Sequence, residues 1–106
     1  MATVNIAGSA GPYVYEPLPM LSNWTDVGGN YIFARQQSNG WYLLYVGQCD
    51  SFRKRMPTHE RWAEAVRLGA THVLAHVNQN DSLRLLEERD LIRRYAPELN
   101  VQHRAA

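Results

Sequence analysis

The stretch Tyr31-Ile32-Phe33-Ala34-Arg35-Gln36-Gln37-Ser38-Asn39-Gly40-Trp41-Tyr42-Leu43-Leu44-Tyr45-Val46 decides the fold. Its two ends, Tyr31–Ala34 and Trp41–Val46, are aromatic and branched runs that pack well on a pleated surface. Ser38-Asn39-Gly40 between them carries turn chemistry, so the stretch reads as a β-hairpin. Turn length then matters. A two-residue Asn39-Gly40 loop pairs Ser38 with Trp41 and sends Tyr31 and Tyr45 to opposite faces. A three-residue loop with a left-handed Gly40 pairs Gln37 with Trp41 and Phe33 with Tyr45. Tyr31 and Tyr45 then become diagonal neighbours on one face, about 7–8 Å apart at the backbone. If both tyrosines serve one site, the longer loop or an equivalent bulge is required.

Downstream, Asp50 is placed to cap a short helix over Ser51–Met56, which Pro57 interrupts. Thr58 offers a cap for a second helix over His59–Leu68, with Gly69 as its stop. Thr71–Val77 reads as a third strand. Asp81 or Ser82 caps a last helix that reaches Ala96 and ends before Pro97. Upstream, Gly8, Gly11, Pro12, Pro17 and Pro19 break any periodic pattern. Residues 1–28 are therefore expected to be an N-terminal arm of packed but irregular structure, with room for a short edge strand. Tyr13-Val14-Tyr15 and Trp24 give that arm the apolar surface to pack on a domain at 29–106. The expected fold class is α/β: a small three-stranded antiparallel sheet flanked by helices, in the order β-β-α-α-β-α.

Composition sets the outer limits. With 45% hydrophobic and 20% charged residues among 106, the chain reads as one globular domain and not as a disordered segment. A single cysteine, Cys49, excludes a disulfide framework and suits a reducing cytoplasm. No run approaches membrane-spanning length and no positive region precedes an apolar one, so a soluble, cytoplasmic protein without a membrane partner is expected. All 11 Lys and Arg residues lie from Arg35 onward together with eight of the ten acids, so residues 29–106 carry +3 and the first 28 carry −2. Arg53-Lys54-Arg55 concentrates three of those cations and contains the only lysine. A patch of this size can grip a few phosphates, as can many solvated helix faces.

The last helix carries the most specific chemical signal. At 100° per residue, Leu85, Leu91, Ile92 and Tyr95 occupy an arc of about 120° that should face the core. Glu88 falls in the middle of that arc, while Glu87 lies beyond its edge, able to reach water. An ionised carboxylate on an apolar face needs a cation or strong donors, because desolvation otherwise neutralises it. The competing reading is a structural ion pair with Arg84 on the same face. Other features are set aside: His72 and His76 share a strand face but lack further ligands for a metal. Trp62, Ala65, Val66 and Gly69 follow helical spacing and read as core, not as a base-stacking platform. Cys49 has neither a Cys-x-x-Cys partner nor a close histidine. No phosphate-binding glycine-rich loop or dinucleotide fingerprint is present.

In their order these features resemble the GIY-YIG nuclease family over residues 29 to about 101, roughly two-thirds of the chain. Gly29-Asn30-Tyr31 is similar to the first triplet, with Asn30 where family members are usually apolar, and Tyr45-Val46-Gly47-Gln48 to the second. Arg55 falls where the family places its catalytic arginine, and His59 matches a histidine of the homing-endonuclease-like branches. Leu86-Glu87-Glu88-Arg89-Asp90-Leu91-Ile92 resembles the segment with the metal-binding glutamate, and its Glu-x-x-Leu-Ile spacing gives that role to Glu88. Pro97-Glu98-Leu99-Asn100 resembles the Pro-x-x-Asn ending, in which Asn100 would steady the site.

The resemblance implies a metal-dependent endonuclease that hydrolyses DNA phosphodiester bonds, leaving a 5′-phosphate and a 3′-hydroxyl. Glu88 would hold Mg²⁺ (or Mn²⁺), Arg55 would add donors to the same phosphate, Tyr31 would deprotonate the attacking water and Tyr45 would orient the phosphate. His59 completes the catalytic set; Arg53, Lys54 and Asn100 are expected on the substrate side. A free tyrosine near pKa 10 needs nearby cations to act as a base at neutral pH. Family members usually attach a separate DNA-binding domain, and none is expected in this chain. Specificity is therefore expected from a protein partner or from the DNA itself, branched or flapped DNA included, with affinity low and salt-sensitive. Two alternatives stay open: a non-catalytic module that binds nucleic acid or protein, and a nuclease subunit active only with a partner.

Overall fold

The computed structural model describes residues 2–100 and folds them around one five-stranded antiparallel sheet. Residues 101–106, which close the expected domain and the resembling segment, lie outside the described residues. The strands are β1 (Val4–Ala7), β2 (Pro12–Pro19), β3 (Gly29–Gln37), β4 (Gly40–Cys49) and β5 (His72–Val77), in the spatial order β1-β2-β5-β3-β4. This corrects the expected three-stranded sheet: the arm, read as irregular, supplies two more strands. The prolines that argued against strand structure are accommodated by how β2 pairs. Its residues 12–15 pair only with β1 and its residues 16–19 only with β5. Every β2 residue thus has an unpaired side, on which a proline nitrogen without a hydrogen costs no ladder bond.

Helices cover both faces. On one lie α1 (Phe52–Arg55), a 3₁₀ turn (Met56–Thr58) and α2 (Trp62–Arg67). They bury Tyr31, Phe33, Leu44, Cys49, Phe52 and Met56 in one core. On the other lies α3 (Asp81–Tyr95), whose Leu91 joins Ile32, Ala34, Leu43, Val46 and Leu74 in a second. The caps sit one residue from their expected places. Ser51, not Asp50, accepts from the Lys54 amide, and Asn80, ahead of Asp81, accepts from Leu83. His59, Glu60 and Arg61 stay outside α2, which starts at Trp62 without a side-chain cap. Gly69 stops α2 at φ +93, a left-handed conformation that costs glycine little. Among the described residues no helix is long and apolar enough to cross a membrane.

The arm is fastened to α3 by two carboxylates. Asp90 accepts from the Ser9 and Ala10 amides at 2.8 and 3.0 Å and from the Tyr13 hydroxyl at 2.6 Å. Glu87 accepts from the Tyr15 hydroxyl at 2.5 Å and faces His76 Nδ1 at 2.9 Å. Past β2, residues 20–28 run alongside α1, where the Phe52 and Arg53 amides donate to the Val27 and Thr25 carbonyls at 2.9 and 3.1 Å. The arm therefore reaches both layers of the molecule.

Candidate active site

Both tyrosines of the hairpin face the α1–α2 layer, by a route the sequence did not display. The turn is a two-residue Ser38-Asn39 loop closed by a Gln37–Gly40 pair, and pairing runs unbroken to Ala34–Leu43. The register then shifts between Phe33 and Ala34, so that Phe33 pairs with Tyr45 and Leu44 is the additional residue of a bulge. Neither expected loop forms, yet the bulge yields the Phe33–Tyr45 pairing of the longer one. Tyr31 and Tyr45 stack with ring centroids 6.3 Å apart. Opposite Tyr31 stands Gly47, where an added Cβ would lie 2.6 Å from the Tyr31 hydroxyl. A Cβ on Gly29 would lie 2.3 Å from the His76 carbonyl oxygen and 2.5 Å from the Phe52 ring. The glycines of both triplets are therefore packing requirements.

Tyr31, only 1% exposed, meets His59 Nε2 at 2.8 Å through its hydroxyl. His59 Nδ1 accepts from the Arg61 amide at 3.0 Å, so in the neutral ring the proton sits on Nε2 and is donated to Tyr31. The Arg55 guanidinium acts on the same hydroxyl through its positive charge. One donor and one nearby cation favour the phenolate form of that oxygen. Burial opposes them and, with the Tyr45 ring beside it, pushes the Tyr31 pKa well above the ordinary phenol value. Tyr45 is half-buried, and its pKa is raised first by burial and then by Glu60, against the pull of Arg55. Arg55 itself is anchored by Glu60 at 2.8 Å. His59 lies edge-on to Tyr45, with centroids 5.0 Å apart. Tyr31, Tyr45, Arg55 and His59 thus form one cluster, joined by two residues that the sequence reading missed, Glu60 and Arg61. Both sit in the non-helical step between the 3₁₀ turn and α2, where no periodicity marks them.

Glu88 stands elsewhere on α3 than expected. The buried stripe of the helix is Arg84, Glu87 and Leu91, while Leu85, Leu86 and Tyr95 are exposed. The expected face was wrong because hydropathy cannot see that polar partners await polar residues. Glu87, expected in water, is 3% exposed and pairs with Tyr15 and His76. Arg84 donates to Gln48 Oε1 at 3.1 Å and to the Asn78 carbonyl at 2.9 Å, and pairs with Asp81 instead of Glu88. Asn30, the polar departure in the first triplet, is fully buried and donates to the Arg84 carbonyl at 2.9 Å, docking α3 onto β3. Glu88 sits at the edge of the buried stripe. Among the described residues its carboxylate accepts no hydrogen bond and forms no salt bridge, and burial raises its pKa while Arg89 pulls it back. Its field reaches Tyr45.

Beside the cluster, Gln48, Asp50, Arg55, Arg84 and Leu85 line an open groove of about 460 Å³ between α1 and α3. Arg53 and Lys54 are exposed on α1, within the field of Asp26. Asn100 is buried and holds Val46 by both ends of its amide, accepting from its nitrogen at 2.8 Å and donating to its carbonyl at 2.9 Å. Held by both ends of its amide, Asn100 fixes the strand between Tyr45 and Gly47. Among the described residues no group of three or more His, Cys, Asp or Glu side chains could enclose a metal ion. A lone, desolvated, unpaired carboxylate suits Mg²⁺, which keeps several waters and is commonly held by one or two carboxylates together with substrate phosphate oxygens. It does not suit a structural zinc.

Compared with protein-family models and with curated proteins, the chain matches none.

Proposed function

We propose that this protein is a metal-dependent endonuclease of GIY-YIG type acting on DNA. The observation that carries the reading is the gathering of Tyr31, Tyr45, Arg55 and His59 into one cluster, with Glu88, a carboxylate unpaired among the described residues, close enough for its charge to act on Tyr45. Phosphodiester hydrolysis needs donors for the phosphate oxygens, a base for water and a seat for a cation, and these residues supply all three. Arg55 donates to the phosphate with a planar fork suited to paired oxygens. Tyr45, the more exposed phenol, orients the phosphate. Tyr31, as phenolate, takes the proton of the attacking water; a P–O bond forms as the P–O3′ bond breaks, and the 3′-oxygen leaves with a proton from solvent.

Burial makes this role demanding for Tyr31, and the His59 donor and the Arg55 charge offset part of that demand. Mg²⁺ or Mn²⁺ bound at Glu88 would supply the remaining positive charge, neutralising the phosphate as negative charge develops. Arg53 and Lys54 contact neighbouring phosphates, and the buried Cys49 thiol suits a cytoplasmic setting.

A second reading, that the nuclease works with a protein partner, is favoured by one observation. Val77, Leu83 and Leu86 are exposed together around a groove of about 480 Å³ on the far side of α3. The deciding experiment is cleavage of plasmid, flap and single-stranded DNA with Mg²⁺ or Mn²⁺ by the wild type, Arg55→Ala and Glu88→Ala. Cleavage by the wild type that both variants lose while folded supports autonomous catalysis. A wild type that cuts nothing under either metal sinks it.

A further inference from the structure

Residues 20–24 of the arm face the 3₁₀ turn and the start of α2 across a groove of about 420 Å³. Its walls include two half-buried indoles, Trp24 and Trp62, together with Met20, Met56 and Pro57, and it ends on His59 and Glu60. Each indole is held by a core ring: Trp24 by Phe52 at 6.2 Å and Trp62 by Phe33 at 5.5 Å between centroids. The groove runs into the catalytic cluster, because His59 bonds Tyr31 and Glu60 bonds Arg55. Beside it, exposed Arg53 is tied through its amide to Thr25, and Lys54 follows on the same helix.

We propose that this groove takes an unpaired base of the substrate strand, next to the bond that is cut. The inference rests on the nuclease reading above and adds a substrate class to it: DNA with a single-stranded portion at the cleavage site, such as a flap. Indole faces stack on any base, so the site is tolerant of sequence. A base held in a duplex presents no free face to it. The volume falls within the range of small-ligand sites, about 300–1,000 Å³. Ser22 and Glu60 offer polar atoms to the edge of the base, while Arg53 and Lys54 meet the phosphates that flank it. Charge and shape thus alternate along the path as a single strand requires: cationic for the backbone, aromatic for the base.

The test is binding of single-stranded oligothymidylate and of a blunt duplex of equal length to the full chain without metal, read by tryptophan quenching and by anisotropy of a labelled strand. Two variants disable the groove differently: Trp24→Leu keeps apolar packing but removes the stacking face, and Ala63→Glu fills the groove from an exposed position on α2. Trp41→Phe, outside the groove, is the control. Loss of one stacked base should weaken single-strand binding about 5- to 150-fold. Duplex binding should change little, and any preference for cutting flaps should vanish in both groove variants. Unchanged single-strand affinity in both variants, with folding intact by circular dichroism, overturns the proposal even if cleavage is robust. If the wild type cuts no DNA but loses single-strand affinity in both variants, the nuclease reading falls and the base site stands.

Discussion

Glu87 and Glu88 are neighbours on α3, yet they belong to opposite kinds of region. Glu87 faces the arm and the middle of the sheet, where Tyr15 and His76 meet its carboxylate. Glu88 is half-buried and without a hydrogen bond among the described residues. Both have lost water, and only one has been compensated. A buried carboxylate with its full set of donors is a fastening, and changing it alters stability. One that is desolvated and unpaired costs stability, and such a cost fits a group kept ready for a ligand. The same helix therefore carries a compensated and an uncompensated carboxylate, one residue apart.

The largest expected effect comes from setting the two against each other. Glu88→Gln should reduce metal-dependent cleavage to background while leaving Tm at neutral pH unchanged or slightly raised, because an uncompensated charge is removed. Glu87→Gln should do the reverse, lowering unfolding free energy by about 1.5–3 kcal/mol while folded molecules still cleave. Paired denaturation and cleavage assays read both, and a loss of stability in Glu88→Gln would break the comparison. Next comes Arg55→Ala, with cleavage down about 10²–10³-fold, as for removal of a key charge-stabilising donor. Arg55→Lys should fail to restore the rate, because an ammonium cannot reproduce the planar fork. Tyr15→Phe, which removes one donor from Glu87, should destabilise by about 1–3 kcal/mol in urea titration without altering cleavage.

The smallest effect is in the pH dependence, where the two sides of α3 differ in sign. Hydrogen bonds from Tyr13 and the arm amides hold the Asp90 carboxyl at about 2, against an ordinary 3.8. Its stabilising share is complete above about pH 4 and is lost as pH falls toward 2. Glu88, with its pKa raised by burial above 4.5, behaves oppositely: its ionised form burdens the fold, and the burden lifts as pH falls through the raised value. Thermal melts from neutral to acid pH should show the Asp90→Asn deficit shrinking in the lower window. Any advantage of Glu88→Gln should shrink in the higher one.

What the sequence made legible follows from how local each signal is. The β3–β4 hairpin, the strand over 72–77 and the helix over 81–95 announce themselves through alternation, turn residues and caps within a few positions. The cluster of Tyr31, Tyr45, Arg55 and His59 was foreseeable from spacing once a resemblance was in hand. The arm's strands were not, because Pro17 and Pro19 argue against a strand unless its pairing is known to be one-sided. The buried face of α3 was misjudged for a related reason. Arg84 and Glu87 are buried only because Gln48, Tyr15 and His76 wait for them, and those partners lie up to 72 residues away in sequence. Glu60 and Arg61 carry no periodic mark at all. Long-range polar pairing is where a single sequence is least readable.

A strand alternates its side chains with period two, so one added residue inverts inside and outside for everything beyond it. Leu44 is such a residue. Leu43 and Val46, an odd number of positions apart, share the α3-side core, while the consecutive Leu44 and Tyr45 both belong to the other. The two halves of β4 are thus written in different frames, and Tyr45 meets Tyr31 and His59 only in the second. Any change of strand length between the turn and Gly47 must therefore come in pairs. A single deletion among residues 41–44 would leave every residue of the cluster present and turn Tyr45 to the wrong side of the sheet.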